Sequence, residues 1–202
     1  MVTYRLGSMP PDATDTKRRI LLAARAEFAQ FGLAGARVDR IAEVGQVNKR
    51  SIYVHFGPKA DLFDLVVAAA LGEMAEEVPF TAEDLPSYAG ALFDYLTVRP
   101  EILRLTTWAG LERSEASPGE VQAYAPKVEA LAESFDGAAV DVLSLLLGQV
   151  TSWQYVSSAL RAHASEEPWS AERLQRHRGL LIASVEALVG VAGDRAQGSS
   201  AS

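Results

Sequence analysis

The 202-residue sequence contains no cysteine. That absence removes disulfide cross-links, thiolate metal ligands and a cysteine nucleophile together. Histidine is nearly as scarce: His55, His163 and His177 lie far apart, too few and too scattered for a metal site. No phosphate-cradling glycine loop, nucleophile elbow or zincin helix occurs. The paired acids Glu76-Glu77 and Glu166-Glu167 are adjacent, so on a helix they point apart and read as solvated surface. No segment alternates apolar and polar residues between hairpin turns. Val142–Leu160 lacks charge over nineteen positions, but its Ser144, Gln149, Thr151, Ser152, Gln154, Ser157 and Ser158 suit a protein interior better than lipid. Met1–Thr16 has no apolar stretch of the secretory type. The expectation is a soluble cytoplasmic protein with no membrane partner, no cofactor and no enzymatic role. A helical partner-binding scaffold, or an enzyme without a recognisable motif, are the alternatives.

Positive charge is in deficit, with a net of -7, yet it is unevenly spread. Residues 1–60 hold ten Lys and Arg against five Asp and Glu, whereas the rest holds nine against twenty-one. A basic head on an acidic body suggests that the head meets a polyanion.

Apolar spacing of three and four predicts helices nearly throughout. Ile20, Leu21, Ala24, Phe28 and Phe31 form one face of a helix over Asp15–Phe31, stopped by Gly32. Short helices follow at Val38–Val44 and from the cap Asn48 to Phe56, then a longer one at Lys59–Val78 after Gly57-Pro58. Further segments are Asp84–Val98, Pro100–Arg113, Pro118–Phe135, Ala138–His163 and Ser170–Val191. The expected fold is all-α with about nine helices. Residues 1–16 read as a flexible arm, 17–58 as a helix-turn-helix domain, 59–192 as a larger helical domain, and 193–202 as a disordered tail.

The two short helices separated by Gly45-Gln46-Val47 have helix-turn-helix lengths, a motif whose second helix enters the DNA major groove. Val38, Ile41, Ala42, Val47, Ile52 and Phe56 make a small core and leave Lys49, Arg50, Ser51, Tyr53 and His55 facing outward. A guanidinium forks onto a guanine edge, while hydroxyls and cations reach phosphates. Tyr53 alternatively packs beside Ile52, and Arg50 alternatively pairs with Glu43.

The run Ile41-Ala42-Glu43-Val44-Gly45-Gln46-Val47-Asn48-Lys49-Arg50-Ser51-Ile52-Tyr53-Val54-His55-Phe56, with Pro58-Lys59-Ala60-Asp61-Leu62 after it, resembles the signature of the TetR (tetracycline-repressor) family. Ile20-Leu21-x-Ala23-Ala24 and Phe28-x-x-x-Gly32 resemble its first helix. Two positions depart from the pattern: Gln46 stands where the family usually has Gly, and Arg37 where it usually has Thr. The resemblance implies that Asn48 caps the recognition helix and that Lys49 and Arg50 lie where base edges are read. Ser51 and Tyr53 then contact phosphates or bases, and His55 and Lys59 lie by phosphates. Arg37 and Arg40 sit near backbone, and Lys17, Arg18 and Arg19 extend as an arm.

Operators of this kind carry two half-sites about 34–36 Å apart, which calls for a homodimer on double-stranded DNA. In the family the last two long helices pair across a two-fold axis. Here Leu174, Leu181, Val185 and Leu188 form the candidate stripe, with Trp153 on the preceding helix; alternatively these helices fill their own core. The family's middle helices enclose a pocket for a small-molecule effector. Tyr88, Phe93, Trp108, Tyr124 and Trp153 are the candidate walls, with plain core as the alternative for each.

Overall fold

The computed structural model describes residues 13–135, 137–164 and 167–199. Among them there is no strand. The helices are α1 (Ala13–Gly35), α2 (Val38–Val44), α3 (Lys49–Phe56), α4 (Lys59–Glu77), α5 (Leu85–Val98), α6 (Pro100–Glu112), α7 (Pro118–Ala132), α8 (Ala139–Tyr155), α9 (Ser158–Arg161) and α10 (Ala171–Ser199), with a 3-10 turn at Ala82–Asp84 before α5. No described helix is long and apolar enough to cross a membrane, and no described cluster of acids and histidines could hold a metal ion.

Three boundaries differ from the expectation. The segment Ala138–His163 is two helices, because Val156 turns extended (ψ 142°) and the Ser157 side chain accepts from Leu160 N–H to start α9. The last helix runs to Ser199, because glycines such as Gly193 weaken a helix by only about 1 kcal/mol and leave its hydrogen-bond ladder intact. Lys17, Arg18 and Arg19 are helical residues of α1 rather than an extended arm, with Arg18 and Arg19 both paired to Asp15. The remainder of the expected arm, residues 1–12, lies outside the described residues.

The chain forms two compact units, Met1–Val67 with Arg104–Ala116, and Ala68–Leu103 with Ser117–Ser202. The division therefore falls within α4 and within α6 rather than after Pro58. In the first unit Ile20, Phe28, Ile41, Ile52, Leu62, Phe63 and Leu105 are fully buried. The Phe28 and Phe63 rings meet edge to face at 5.1 Å, a geometry that adds about 0.5–1.5 kcal/mol to their burial. α2 and α3 are too short to cover their own apolar faces, so α1, the start of α4 and α6 from Arg104 complete this core.

The second unit is organised around α5, which packs against α10 and α8, while α7 also lies against α8. Tyr88, Ala89, Leu92 and Phe93 of α5, Leu143, Leu146 and Val150 of α8, and Leu181 and Val185 of α10 are all buried where these three helices pack together. Gly90 permits the close crossing of α10, since a β-carbon there would lie 2.9 Å from Arg178 Nη2 and 3.1 Å from Ile182 Cδ1. Beside it the Arg178 Nε–H donates to both Asp94 carboxylate oxygens, at 3.0 and 2.8 Å.

Candidate nucleic-acid interface

Helix α3 starts where Asn48 turns extended (φ -73°, ψ 135°) and its side-chain oxygen accepts from Arg50 N–H at 2.8 Å. Such a cap contributes about 1 kcal/mol. Ile52 anchors the helix by its buried face. Tyr53 is 47% exposed, so it is not a packing residue. Lys49 and Arg50 are exposed and Ser51 and His55 half-exposed. Arg50 is exposed and makes no ion pair among the described residues, Glu43 included. Lys49 instead reaches back to α2, its Nζ 2.7 Å from Asp39 Oδ1, and that hydrogen bond raises the lysine pKa.

The turn before α3 is held from two sides. Gly45 N–H donates to Ile41 C=O and Val47 N–H to Ala42 C=O, closing α2. The left-handed residue of this closure is Gln46 (φ 50°), while Gly45 stays right-handed (φ -73°). The adjacent glycine therefore does not substitute for the one the family pattern usually carries at position 46. A non-glycine residue in that region costs about 1–2 kcal/mol. Arg19 of α1 offsets this by donating to the Gly45 and Gln46 carbonyls at 3.2 and 3.1 Å.

Arg37, Arg40 and Lys59 were expected along the phosphate backbone, and the structure distinguishes them. Arg37 is exposed, and its backbone N–H donates to Glu27 Oε1 at 2.8 Å. Arg40 is engaged along its length: Nε donates to Glu27, Nη2 donates to the Gly35 carbonyl at 3.0 Å, and its guanidinium carbon lies 4.2 Å from the centre of the Phe31 ring. The Lys59 ammonium donates to the carbonyls of Ala34 (3.4 Å) and Ala36 (3.0 Å), closing off the end of α1. Arg40 and Lys59 thus brace the junction of α1, α2 and α4.

Sequence reasoning missed the acids that organise this unit. Glu27 is buried on α1. Glu112, at the end of α6, accepts from the backbone N–H groups of Leu33 and Ala34. Arg113 donates to Asp64 at 2.6 Å, tying α6 to α4. Trp108 belongs here too, and is not gathered with the other effector candidates. A β-carbon at Gly32, whose φ is 67°, would lie 2.8 Å from the Trp108 ring and from Glu112 Oε2.

In the second unit the other candidates form two groups. Tyr88 and Tyr124 flank Lys127, whose ammonium is 5.9 and 5.7 Å from their ring centres. Phe93 and Trp153 flank His177, at 5.5 and 5.2 Å between ring centres. Burial and the nearby Arg173 charge lower the His177 pKa. The Trp153 indole N–H donates to Pro168 C=O, and Arg173 lies over the ring at 4.2 Å. These ties, with Trp153 only 7% exposed, make it a residue of its own unit's core rather than of a free pairing face. The same holds for Leu181 and Val185, which α10 turns toward α5 and α8, and Leu174 and Leu188 are only half-exposed. The outward stripe of α10 is instead Leu180, Ala183, Ala187 and Val191, and that of α8 is Leu145, Gly148, Ser152 and Tyr155.

Two family models match the chain, one over its N-terminal helices and one over most of the rest. Residues 20–66 match the family described as "Bacterial regulatory proteins, tetR family", and residues 84–186 match "Tetracyclin repressor-like, C-terminal domain". A curated relative, the HTH-type transcriptional repressor SCO4008 of Streptomyces coelicolor, is 37% identical over 156 residues, covering 72% of this chain and 81% of the relative. The uncharacterized HTH-type transcriptional regulator YhgD of Bacillus subtilis is 34% identical over 119 residues, 57% of this chain and 62% of that one. The crystal structure of the putative transcriptional regulator SCO4942 from Streptomyces coelicolor superposes with a TM-score of 0.71 at 35% identity, covering 86% of this chain and 97% of that one. An exposed, capped recognition helix on a braced three-helix head, with both halves of the chain matched, identifies the protein as a member of the TetR family of bacterial transcriptional regulators.

Proposed function

We propose that the protein is a cytoplasmic repressor that binds a palindromic operator as a homodimer and is released by a small-molecule effector. The observation that carries the reading is α3 itself: Arg50 and Tyr53 are exposed on a helix whose start is capped by Asn48 and whose turn is latched by Arg19. Inserted in a major groove, Arg50 donates to a base edge, Lys49, Ser51, Tyr53 and His55 lie within reach of bases or phosphates, and Arg37 reaches the flanking backbone.

Two copies of α3 must be spaced by about one helical turn of DNA. Leu145 (54% exposed) and Leu180 (65% exposed) stand on the outward stripes of α8 and α10, and covering them with a second copy removes apolar surface from water. The family's mode is ligand-responsive repression. An effector acts only through its preference for the conformation that spaces the heads wrongly, which sets the limit on its effect.

The test is a footprint on duplex carrying the promoter-proximal region upstream of the coding sequence, with the mass of the complex measured by light scattering. Protection of two symmetric half-sites by two copies of the chain supports the reading. A complex with one chain, or protection without symmetry, rejects it.

A further inference from the structure

The second unit contains a buried cation that has no counter-ion among the described residues. Lys127 of α7 is 7% exposed. Its ammonium donates to the Tyr88 hydroxyl at 3.4 Å and lies 5.9 and 5.7 Å from the ring centres of Tyr88 and Tyr124. Among the described residues no carboxylate pairs with it. An ammonium has three donors and needs an anion or water when it leaves solvent. Neither tyrosine supplies negative charge: burial pushes the Tyr88 phenol up to about 12 and raises that of Tyr124, so both stay neutral near pH 7. Burial also lowers the pKa of Lys127, as expected of an uncompensated cation.

The surroundings narrow what fits. Phe80 meets Tyr88 edge to face at 4.9 Å, so the walls beside the ammonium are aromatic. One positive charge and one phenolic O–H suit the two oxygens of a carboxylate, with Lys127 donating to one and Tyr88 to the other. A phosphate dianion would leave one charge uncompensated in a buried site, and a cationic ligand would meet like charge.

We propose that Lys127 and Tyr88 form the receptor for the carboxylate head of an apolar, aryl-bearing effector, seated between Tyr88 and Tyr124. This rests on the reading that the second unit takes an effector. It adds the head-group chemistry and names the residue that selects it.

The experiment uses the full chain and four probes on one body: 3-phenylpropionate, 3-phenylpropanamide, 2-phenylethyl phosphate and 3-phenylpropylammonium. Binding is followed by calorimetry and thermal shift at pH 7. The carboxylate should bind at least tenfold tighter than the amide and than either other probe. In Lys127→Met, which removes the charge but keeps an apolar stem, carboxylate and amide should bind alike and Tm should not fall. Equal binding of carboxylate and amide to the wild type, tighter binding of the phosphate or the ammonium, no binding of the carboxylate up to 10 mM, or an undiminished carboxylate preference in Lys127→Met would each overturn the proposal. The wild-type comparison decides the matter even if the variant does not fold. Operator affinity of the ligand-free protein, measured on the same preparation, reads the DNA-binding function separately.

Discussion

The Arg40 guanidinium is gripped by the buried Glu27 carboxylate, with Nε 2.8 Å from Oε1 and 3.0 Å from Oε2. The same Oε1 accepts the Arg37 N–H that begins α2, so one acid ties α1 to the start of the helix-turn-helix. Glu27→Ala removes the acceptor of both donors and should lower stability by about 2–3 kcal/mol, read as a fall in the denaturant midpoint. Burial pushes the Glu27 carboxyl up, but the hydrogen bonds from Arg40 and from Arg37 N–H outweigh it and hold its pKa below the ordinary 4.5. A carboxyl with a lowered folded pKa stabilises above its unfolded value, and that contribution is lost as pH falls through the folded value. Wild-type stability should therefore drop below about pH 4.5 more steeply than that of Glu27→Ala. Parallel pH curves for the two would refute the linkage.

Gly32 combines φ 67° and ψ -174° with the crowding of Trp108 and Glu112. That backbone region is nearly exclusive to glycine. Gly32→Ala should cost about 2–4 kcal/mol, from strain and from displacing a ring that the added carbon would approach to 2.8 Å. A thermal midpoint within a degree of wild type would show that Trp108 yields freely.

Gln46 gives the opposite sign. Its left-handed backbone favours glycine, which loses more chain entropy on folding but relieves the strain. Gln46→Gly should raise stability by about 0.5–1 kcal/mol without altering DNA affinity by more than a few-fold. A destabilised variant would mean that the Gln46 side chain, rather than the backbone, holds the turn.

These positions show what the sequence carried and what it did not. Asn48 as a cap, Ile41 and Ile52 as core, and the order of the helices were legible, because each depends on neighbours three or four residues away. The partners of Arg40 and Lys59 were not, since Glu27 lies 13 residues before Arg40, and the carbonyls of Ala34 and Ala36 lie 25 and 23 before Lys59. Glu112 meets Ala34 across 78 residues, with no local pattern to announce it. The stripe on α10 misled for a different reason. Periodicity identifies the apolar face of a helix but not whether its own chain or a second copy covers it. Leu181 and Val185 are buried in the single chain, on the helix that packs against its own α5 and α8.

The outward stripe gives the test of assembly. Leu180 is 65% exposed in the single chain, so Leu180→Glu should leave the chain folded, with secondary structure by circular dichroism unchanged. A second copy covering it would bury that carboxylate, and the dimer should dissociate at micromolar concentration with loss of operator binding. A Leu180→Glu protein that remains dimeric would place the interface elsewhere.

The most direct measurement is the salt dependence of duplex affinity for wild type and Arg50→Ala, on the footprinted operator and on scrambled DNA. An acidic protein that docks through a basic head should show log affinity falling linearly with log salt on both duplexes. Arg50→Ala should lose about 1–3 kcal/mol on the operator at one base step, with little change on scrambled DNA and the slope almost preserved. Affinity indifferent to salt, or an equal loss on both duplexes, would contradict the assignment of α3 as the helix that reads bases.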